Sequence, residues 1–418
     1  MSRLVIEGAK PLSGTIAVHG AKNAVLPILA ASVLCKDGIS IIRNCPDLKD
    51  VTITIEILKY LGARVTRSGS TLTIDARRRL GSHIPEALMH ELRSSVIFMG
   101  AIVARNGKAK ISSPGGCELG PRPIDLHMKA LTELGCKISE KKGYLHVKGR
   151  HIAAANLTLS FPSVGATENI MLASCFTSGV TVVKNVAKEP EIVDLANFLN
   201  AMGARICGAG TDTIAIHGVK RLHAADYTVM PDRIAATTYL CCAAVTGGSI
   251  TLTNTVPEHL ETALSLLAQC GCTVEAECDT IRLSAPPRLN MLPAIVTEPY
   301  PGFPTDAQSL FLALAATAEG TGTIRETIFT SRFKVAAELC KMGADIKICR
   351  DSAHITGVST LTGTKVAAPD LRGGAALVIA ALAAKGTTEI ENVCYIDRGY
   401  EHLEENLTRL GAVIRRET

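Results

Sequence analysis

A helix end closed by glycine and followed by a β-branched residue recurs six times along this chain, and the repeat limits the folds open to it. The copies are Leu61-Gly62-Ala63, Leu134-Gly135-Cys136, Met202-Gly203-Ala204, Cys270-Gly271-Cys272, Met342-Gly343-Ala344 and Leu410-Gly411-Ala412. They lie roughly 70 residues apart, a spacing that marks a repeated supersecondary unit. Val65, Ile138, Ile206, Val274, Ile346 and Val413 follow in turn. Each copy therefore predicts an amphipathic helix with a Gly cap feeding a strand.

Upstream in every copy a glycine opens an alternating β-branched stretch, at Gly38, Gly107, Gly179, Gly248, Gly322 and Gly386, and Asn44, Asn185, Asn254 and Asn392 close four of these strands. An Ala-rich apolar helix precedes each strand: Ala24 to Ala31, Val96 to Ala104, Ile170 to Cys175, Ile234 to Val245, Leu310 to Ala318 and Ala375 to Ala384. The unit reads helix, strand, helix, strand, strand. A chain of 418 residues is too long for one ordinary core, so six units imply two similar α/β domains of three units each. Short helices that are apolar all round belong inside a sheet-lined shell.

Several function classes are disfavoured by composition. Fourteen cysteines are strewn singly, with only Cys241-Cys242 and Cys270-x-Cys272 close together, and no pair has zinc-knuckle spacing. Most are expected to be small buried hydrophobes in a reducing compartment. A formal charge of +5 without any Trp argues against a stacking nucleic-acid groove but suits a small anionic ligand. The start, Met1 to Glu7, shows no signal-peptide core, and the apolar run from Gly373 to Ala384 is too short to span a bilayer. Cytoplasm is the expected location. No dinucleotide fingerprint, P-loop, His-Glu-x-x-His or Gly-x-Ser-x-Gly is present.

The six buried helices begin with polar, mostly charged residues: Lys22-Asn23, Arg93-Ser94, Ser163 to Thr167, Asp232-Arg233, Thr305-Asp306 and Asp370-Leu371-Arg372. Helix N-termini offer unpaired N–H groups and a positive dipole end, so an anion is a natural ligand there. Ordinary capping accounts for Ser, Thr and Asp at such places. It does not account for Lys22, Arg93, Arg233 and Arg372, whose charges oppose the dipole. One further stretch, Ser112 to His127, sets Cys117 in a Gly/Pro-rich loop with Arg122 just beyond it. Such a loop reads as a mobile cover, and its thiol as either a nucleophile or general acid or an incidental surface cysteine.

Taken together these segments resemble one family, the UDP-N-acetylglucosamine 1-carboxyvinyltransferases of the EPSP synthase-like superfamily. The resemblance rests on Gly20 to Ala24, the Cys117 loop through Arg122-Pro123-Ile124-Asp125-Leu126-His127, Pro162 to Thr167, Met230 to Ile234, Tyr300 to Asp306, Asp370 to Arg372 and Tyr395 to Glu401. It implies a two-domain inside-out α/β barrel, helices inside and sheets outside. The implied domains are 22-230, carrying the Cys117 loop, and 1-21 with 231-418, carrying the expected base. The implied reaction moves the enolpyruvyl group of phosphoenolpyruvate to the 3′-hydroxyl of UDP-N-acetylglucosamine and releases phosphate. That is the first committed step of peptidoglycan precursor synthesis, with consequences for cell wall, cell shape, division and cell cycle.

By the same resemblance Cys117 would be the proton donor and the target of fosfomycin, and Asp306 the base near the sugar hydroxyl. Lys22, Arg122 and Arg398 would hold phosphoenolpyruvate, with Arg93, Arg233 and Arg372 closing in. Asn23, Arg122, Pro123, Ile124, Asp125, Leu126, Ser163, Val164, Gly165, Asp306 and Ile328 would line the sugar nucleotide. No metal or organic cofactor, nucleic acid or membrane is implied. The family commonly continues Glu-Asn-Arg-Phe after Phe329, whereas this chain has Thr330-Ser331-Arg332-Phe333. A carboxylate on the sugar side is thereby absent. The rival readings are the shikimate-pathway enolpyruvyl transferase, which follows its first lysine with serine rather than Asn23, a non-catalytic UDP-sugar-binding paralogue, and a redox-sensing thiol protein.

Overall fold

The six glycines at the repeated helix ends all adopt left-handed backbone, with φ between 93° and 107°. A side chain there would be strained, which is why glycine recurs. The strand-closing asparagines Asn44, Asn185, Asn254 and Asn392 are left-handed too, at φ 53° to 58°. Three of them donate through Nδ2 to a backbone carbonyl, at Val229, Leu159 and Val18 respectively. Asparagine tolerates this backbone and supplies a local donor, so the repeat is written in both residue types.

The computed structural model describes residues 2–112, 124–150 and 152–417, with the side chain of Arg93 also left aside. The expectations placed on Cys117, Arg122 and Pro123 lie outside these described residues. The described residues separate into two units, one of residues 20–112, 124–150 and 152–230 and one of residues 2–19 with 231–417. The first crossing thus falls at His19–Gly20, two residues before the expected boundary after Ala21.

Residues 20–230 carry three sheets. Two are four-stranded, in the orders Asp226–Thr228, Ser40–Arg43, Thr71–Asp75, Arg64–Ser68 and Asn156–Thr158, Val180–Lys184, Thr213–His217, Arg205–Cys207. The third pairs Lys108–Ser112, Tyr144–Lys148 and Lys137–Lys141, with His83 bridging to Lys110 where a fourth strand would lie. The other unit carries three four-stranded sheets, of which the last inserts Arg3–Glu7 between Thr387–Glu391 and Val413–Glu417. In each four-stranded sheet one edge strand runs parallel to its neighbour and the rest are antiparallel; one of these five edge strands is Ser13–Ala17, and the other four have only two or three residues. These edge strands, such as Ile295–Val296 and Lys365–Ala367, escaped the sequence reading because two or three residues show no alternation.

The Ala-rich helices run Lys22–Ala31, Phe98–Asn106, Val164–Ser174, Arg233–Val245, Thr305–Ala315 and Leu371–Ala383. Five of them begin at the polar residues read as their starts: at Lys22, just after Ser163, at Arg233, at Thr305 and just after Asp370. Before Phe98 the chain instead forms a 3-10 helix, Arg93–Ile97. In the second unit the last three helices pack on one another, and every residue from Arg372 to Leu382 is buried. A helix apolar on all faces is stable only when surrounded in this way.

Glu168, on the helix Val164–Ser174 of the first unit, is buried. Burial pushes its carboxyl well above the usual carboxylate range, and Glu191 and Glu189 nearby add to the effect. The folded chain therefore keeps a proton there that the unfolded chain releases near pH 4 to 5 (about 4.3). Its stabilising contribution is full below that pH and declines as pH rises toward the raised folded value. Glu168→Gln is expected to flatten the fall in the urea midpoint between pH 5 and pH 8, and an unchanged slope would refute the assignment.

Candidate active site

In residues 20–230 the expected ligands fall at three helix starts. Lys22 opens the helix Lys22–Ala31, where no side chain caps the N-terminus. A lysine there opposes the helix dipole. It is compensated by Asp50, whose carboxylate is 1% exposed and lies 3.0 Å from the Lys22 ammonium. Sequence reading missed Asp50, since an acid in the first turn of the helix Lys49–Leu61 looks like an ordinary dipole partner. Asn23 is half-buried beside Lys22.

Ser163 caps the helix Val164–Ser174, its hydroxyl accepting from Ala166 N at 3.4 Å. The helix Asp125–Glu133 starts alongside, with Ile124 as its cap residue, Asp125 exposed and Leu126 half-buried. The two starts meet at His127: a Cβ placed on Gly165 would come within 2.9 Å of His127 Cε1. The structure thus brings Ile124, Asp125 and Leu126 together with Ser163, Val164 and Gly165. Asn169 fixes the imidazole. Its Oδ1 accepts from Gly100 N at 2.7 Å, so Nδ2 is the donor to His127 Nδ1 at 2.8 Å and to Val96 O. Neutral His127 then carries its proton on Nε2, a tautomer assigned from the network. His127 and Asn169 lie 42 positions apart, and nothing in the sequence pairs them.

In the other unit the expected base sits between two arginines. Asp306, in the first turn of Thr305–Ala315, places Oδ1 2.5 Å from Arg332 Nη2 and Oδ2 3.1 Å from Arg372 Nη2. The guanidinium side chains are 1% and 2% exposed, against 27% for Asp306. Arg372 donates further to Tyr400 Oη at 3.2 Å, and Tyr400 shares a 2.8 Å hydrogen bond with Thr238. Burial opposes the charge on Arg372, but Tyr400, Asp306 and Asp232 outweigh it and hold its pKa above the ordinary arginine value. Tyr400 stays neutral, because burial raises its pKa further than Arg372 lowers it.

Asp370 caps the helix Leu371–Ala383, its Oδ1 accepting from Arg372 N and Gly373 N. Arg398 ends the 3-10 helix Val393–Arg398 and is half-buried. Gly399, next in the chain, packs so closely on Leu371 that a Cβ would fall 2.8 Å from Leu371 Cδ2. Arg398 is thereby anchored at the helix start that carries Arg372. Ile328 donates its N–H to Glu326 Oε1 at 2.8 Å. Arg233 takes a different place: its guanidinium lies over the Tyr300 ring, 5.6 Å from the centroid, in a pocket walled by Glu258 to Ala263 and Tyr300 to Gly302. The walls of that pocket include neither Asp306 nor Arg372.

Tyr400→Phe removes the hydroxyl that joins Arg372 to Thr238 and leaves both without that partner. A loss of about 1 to 3 kcal/mol in unfolding free energy is expected by denaturant titration, and no loss would mean that the network is not coupled to folding.

The profile of the EPSP synthase family, 3-phosphoshikimate 1-carboxyvinyltransferase, matches residues 6–407. The chain belongs to the EPSP synthase family. Within that family it is 53% identical over 414 residues to UDP-N-acetylglucosamine 1-carboxyvinyltransferase 2 of Caldanaerobacter subterraneus subsp. tengcongensis, covering 99% of both chains. It is 49% identical to UDP-N-acetylglucosamine 1-carboxyvinyltransferase 1 of Symbiobacterium thermophilum, covering 99% of this chain and 95% of that one. Among solved structures, the enolpyruvyl transferase NikO of Streptomyces tendae aligns with TM-score 0.90 at 27% identity, covering 100% of this chain and 99% of its own. EPSP synthase of Acinetobacter baumannii aligns with TM-score 0.74 at 20% identity over the full length of both chains, a likeness of fold alone. Among the described residues of this EPSP synthase family member, no helix is long and apolar enough to cross a membrane and no acidic, His or Cys cluster fits a metal ion.

Proposed function

We propose that this protein transfers the enolpyruvyl group of phosphoenolpyruvate to the 3′-hydroxyl of UDP-N-acetylglucosamine and releases phosphate, opening peptidoglycan precursor synthesis in the cytoplasm. The observation that carries the reading is 53% identity, over 99% of both chains, with an enzyme of that name. Each unit is read as an inside-out barrel, with its Ala-rich helices enclosed by its three sheets.

The hydroxyl oxygen adds to C2 of phosphoenolpyruvate while C3 gains a proton, giving a tetrahedral intermediate. Elimination then returns a proton from C3 and expels phosphate. Two groups of opposite protonation are needed at once. Cys117 is assigned the proton delivered to C3, and Asp306 the proton leaving the hydroxyl. Both Asp306 oxygens already accept from arginine, so the hydroxyl meets a remaining lone pair on its exposed edge. Lys22, Arg122 and Arg398 are assigned to the phosphate and carboxylate, with Arg93 and Arg372; arginine suits both groups because its fork matches two oxygens. Arg233 is assigned to substrate binding from its place over the Tyr300 ring. Asn23, Arg122 to Leu126, Ser163 to Gly165 and Ile328 are assigned to the sugar nucleotide.

The test is a choice of acceptor. The protein is incubated with phosphoenolpyruvate and either UDP-N-acetylglucosamine or shikimate 3-phosphate, and products are identified by mass spectrometry. The carboxyvinyl ether of the sugar nucleotide is expected. A product from shikimate 3-phosphate alone would move the chain to the other branch of the family.

A further inference from the structure

The strand Val413–Glu417 is an outer strand of the sheet that takes in Arg3–Glu7. Ile414 is buried, and alternation puts Arg416 on the same, inward side of the strand. A guanidinium placed there needs partners, and this one divides its fork between two carboxylates. Its Nη1 and Nη2 donate to Asp397 Oδ2 and Oδ1 at 3.0 Å and 2.7 Å, and its Nε and Nη2 to Glu404 Oε1 and Oε2 at 2.6 Å and 3.1 Å. Asp397 and then Glu404 hold the Arg416 guanidinium above the ordinary arginine value, more than offsetting its burial. Burial pushes the Glu404 carboxyl up, but Arg416 outweighs it and holds that carboxyl below the usual carboxylate range.

The two acids stand at the ends of the segment 397–404. Asp397 belongs to the last turn of the 3-10 helix Val393–Arg398, and Glu404 to the first turn of the helix Leu403–Arg409. Between them come Arg398, then Gly399 seated on Leu371, then Tyr400, whose hydroxyl accepts from Arg372. Asn406 closes the turn from the helix side, its Nδ2 donating to Glu401 O at 3.1 Å and to Tyr239 Oη at 3.1 Å. Arg416 therefore joins the two ends of the turn that presents Arg398. An inward charge on an outer strand also discourages pairing with another chain. Any cation would serve that end, whereas two bidentate contacts require the planar fork of arginine.

We propose that Arg416 is a positioning residue for Arg398: by bridging Asp397 and Glu404 it fixes the turn from which Arg398 meets phosphoenolpyruvate. The proposal rests on the functional reading above. It gives Arg416 no contact with substrate and no part in binding the sugar nucleotide.

The experiment is steady-state kinetics of phosphate release with each substrate varied in turn, for wild type, Arg416→Met, Arg416→Lys and Glu404→Gln, with folding checked by circular dichroism. KM does not depend on how much of a variant is folded, so it separates positioning from loss of structure. Arg416→Met is expected to raise the KM for phosphoenolpyruvate by about tenfold or more, while the KM for UDP-N-acetylglucosamine stays within about threefold. Arg416→Lys keeps the charge without the fork and should recover little of the loss. Glu404→Gln loosens the bridge at the end away from Arg398 and should raise the same KM by about threefold or more, and it decides the matter if Arg416→Met does not fold. A KM for phosphoenolpyruvate within about twofold of wild type in the deciding variant, an equal rise in both KM values, or full recovery in Arg416→Lys would overturn the proposal. Wild type releasing no phosphate with this substrate pair would instead overturn the functional reading on which the proposal rests.

Discussion

Asp306→Asn is expected to lower turnover by about a hundredfold or more, the scale of losing a positioned base. The amide has nearly the shape of the carboxylate and can still accept from one arginine through its oxygen. Its NH2 group then faces the second guanidinium, donor against donor, where Asp306 had offered an oxygen to each. The variant therefore loses proton acceptance together with one charge-assisted hydrogen bond, and its folded state should weaken by about 1 to 3 kcal/mol. Binding of UDP-N-acetylglucosamine by calorimetry should change little, because Ser163 to Gly165 and Ile124 to Leu126 lie in the other unit. Turnover within about threefold of wild type would leave Asp306 with an orienting role only.

Treatment with a small phosphonate epoxide such as fosfomycin is expected to inactivate the enzyme with one adduct, on Cys117. The thiolate sulfur opens the ring, forming a carbon–sulfur bond while the epoxide oxygen takes up a proton. Eight of the described cysteines are buried and five, Cys207, Cys278, Cys340, Cys349 and Cys394, are exposed. The buried ones are poor nucleophiles: burial pushes Cys136 up to about 11 and Cys175 up to about 12. The exposed five are open to any alkylating agent, so selectivity has to come from recognition of the phosphonate by cations beside the reacting thiol. Phosphoenolpyruvate should protect, and Cys117→Ser should be resistant. An adduct on one of the exposed five, with Cys117 unmodified, would contradict the assignment.

The repeat was legible because its markers depend on backbone stereochemistry alone. Gly62 and its five counterparts sit where φ near 100° is required, and Asn44, Asn185 and Asn254 sit where a left-handed residue must also donate to a neighbouring carbonyl. Helix starts were legible too, because Lys22, Ser163, Asp232, Thr305 and Asp370 are polar residues set shortly before an apolar run. The site was legible as a set of residue types and much less as a set of partners. Asp50 and Arg332 are ordinary charged residues in sequence, and only tertiary burial makes each the companion of an expected functional group. Arg233 was grouped with the other helix-start cations, although its guanidinium packs on Tyr300, 67 positions away.

Phosphate release from phosphoenolpyruvate, followed with and without UDP-N-acetylglucosamine, tests the central claim most directly. The account predicts continuous release only when the sugar nucleotide is present, in step with its consumption, and none sustained by phosphoenolpyruvate alone. Release that proceeds at the same rate without the sugar nucleotide, or that is absent with it, would contradict the account.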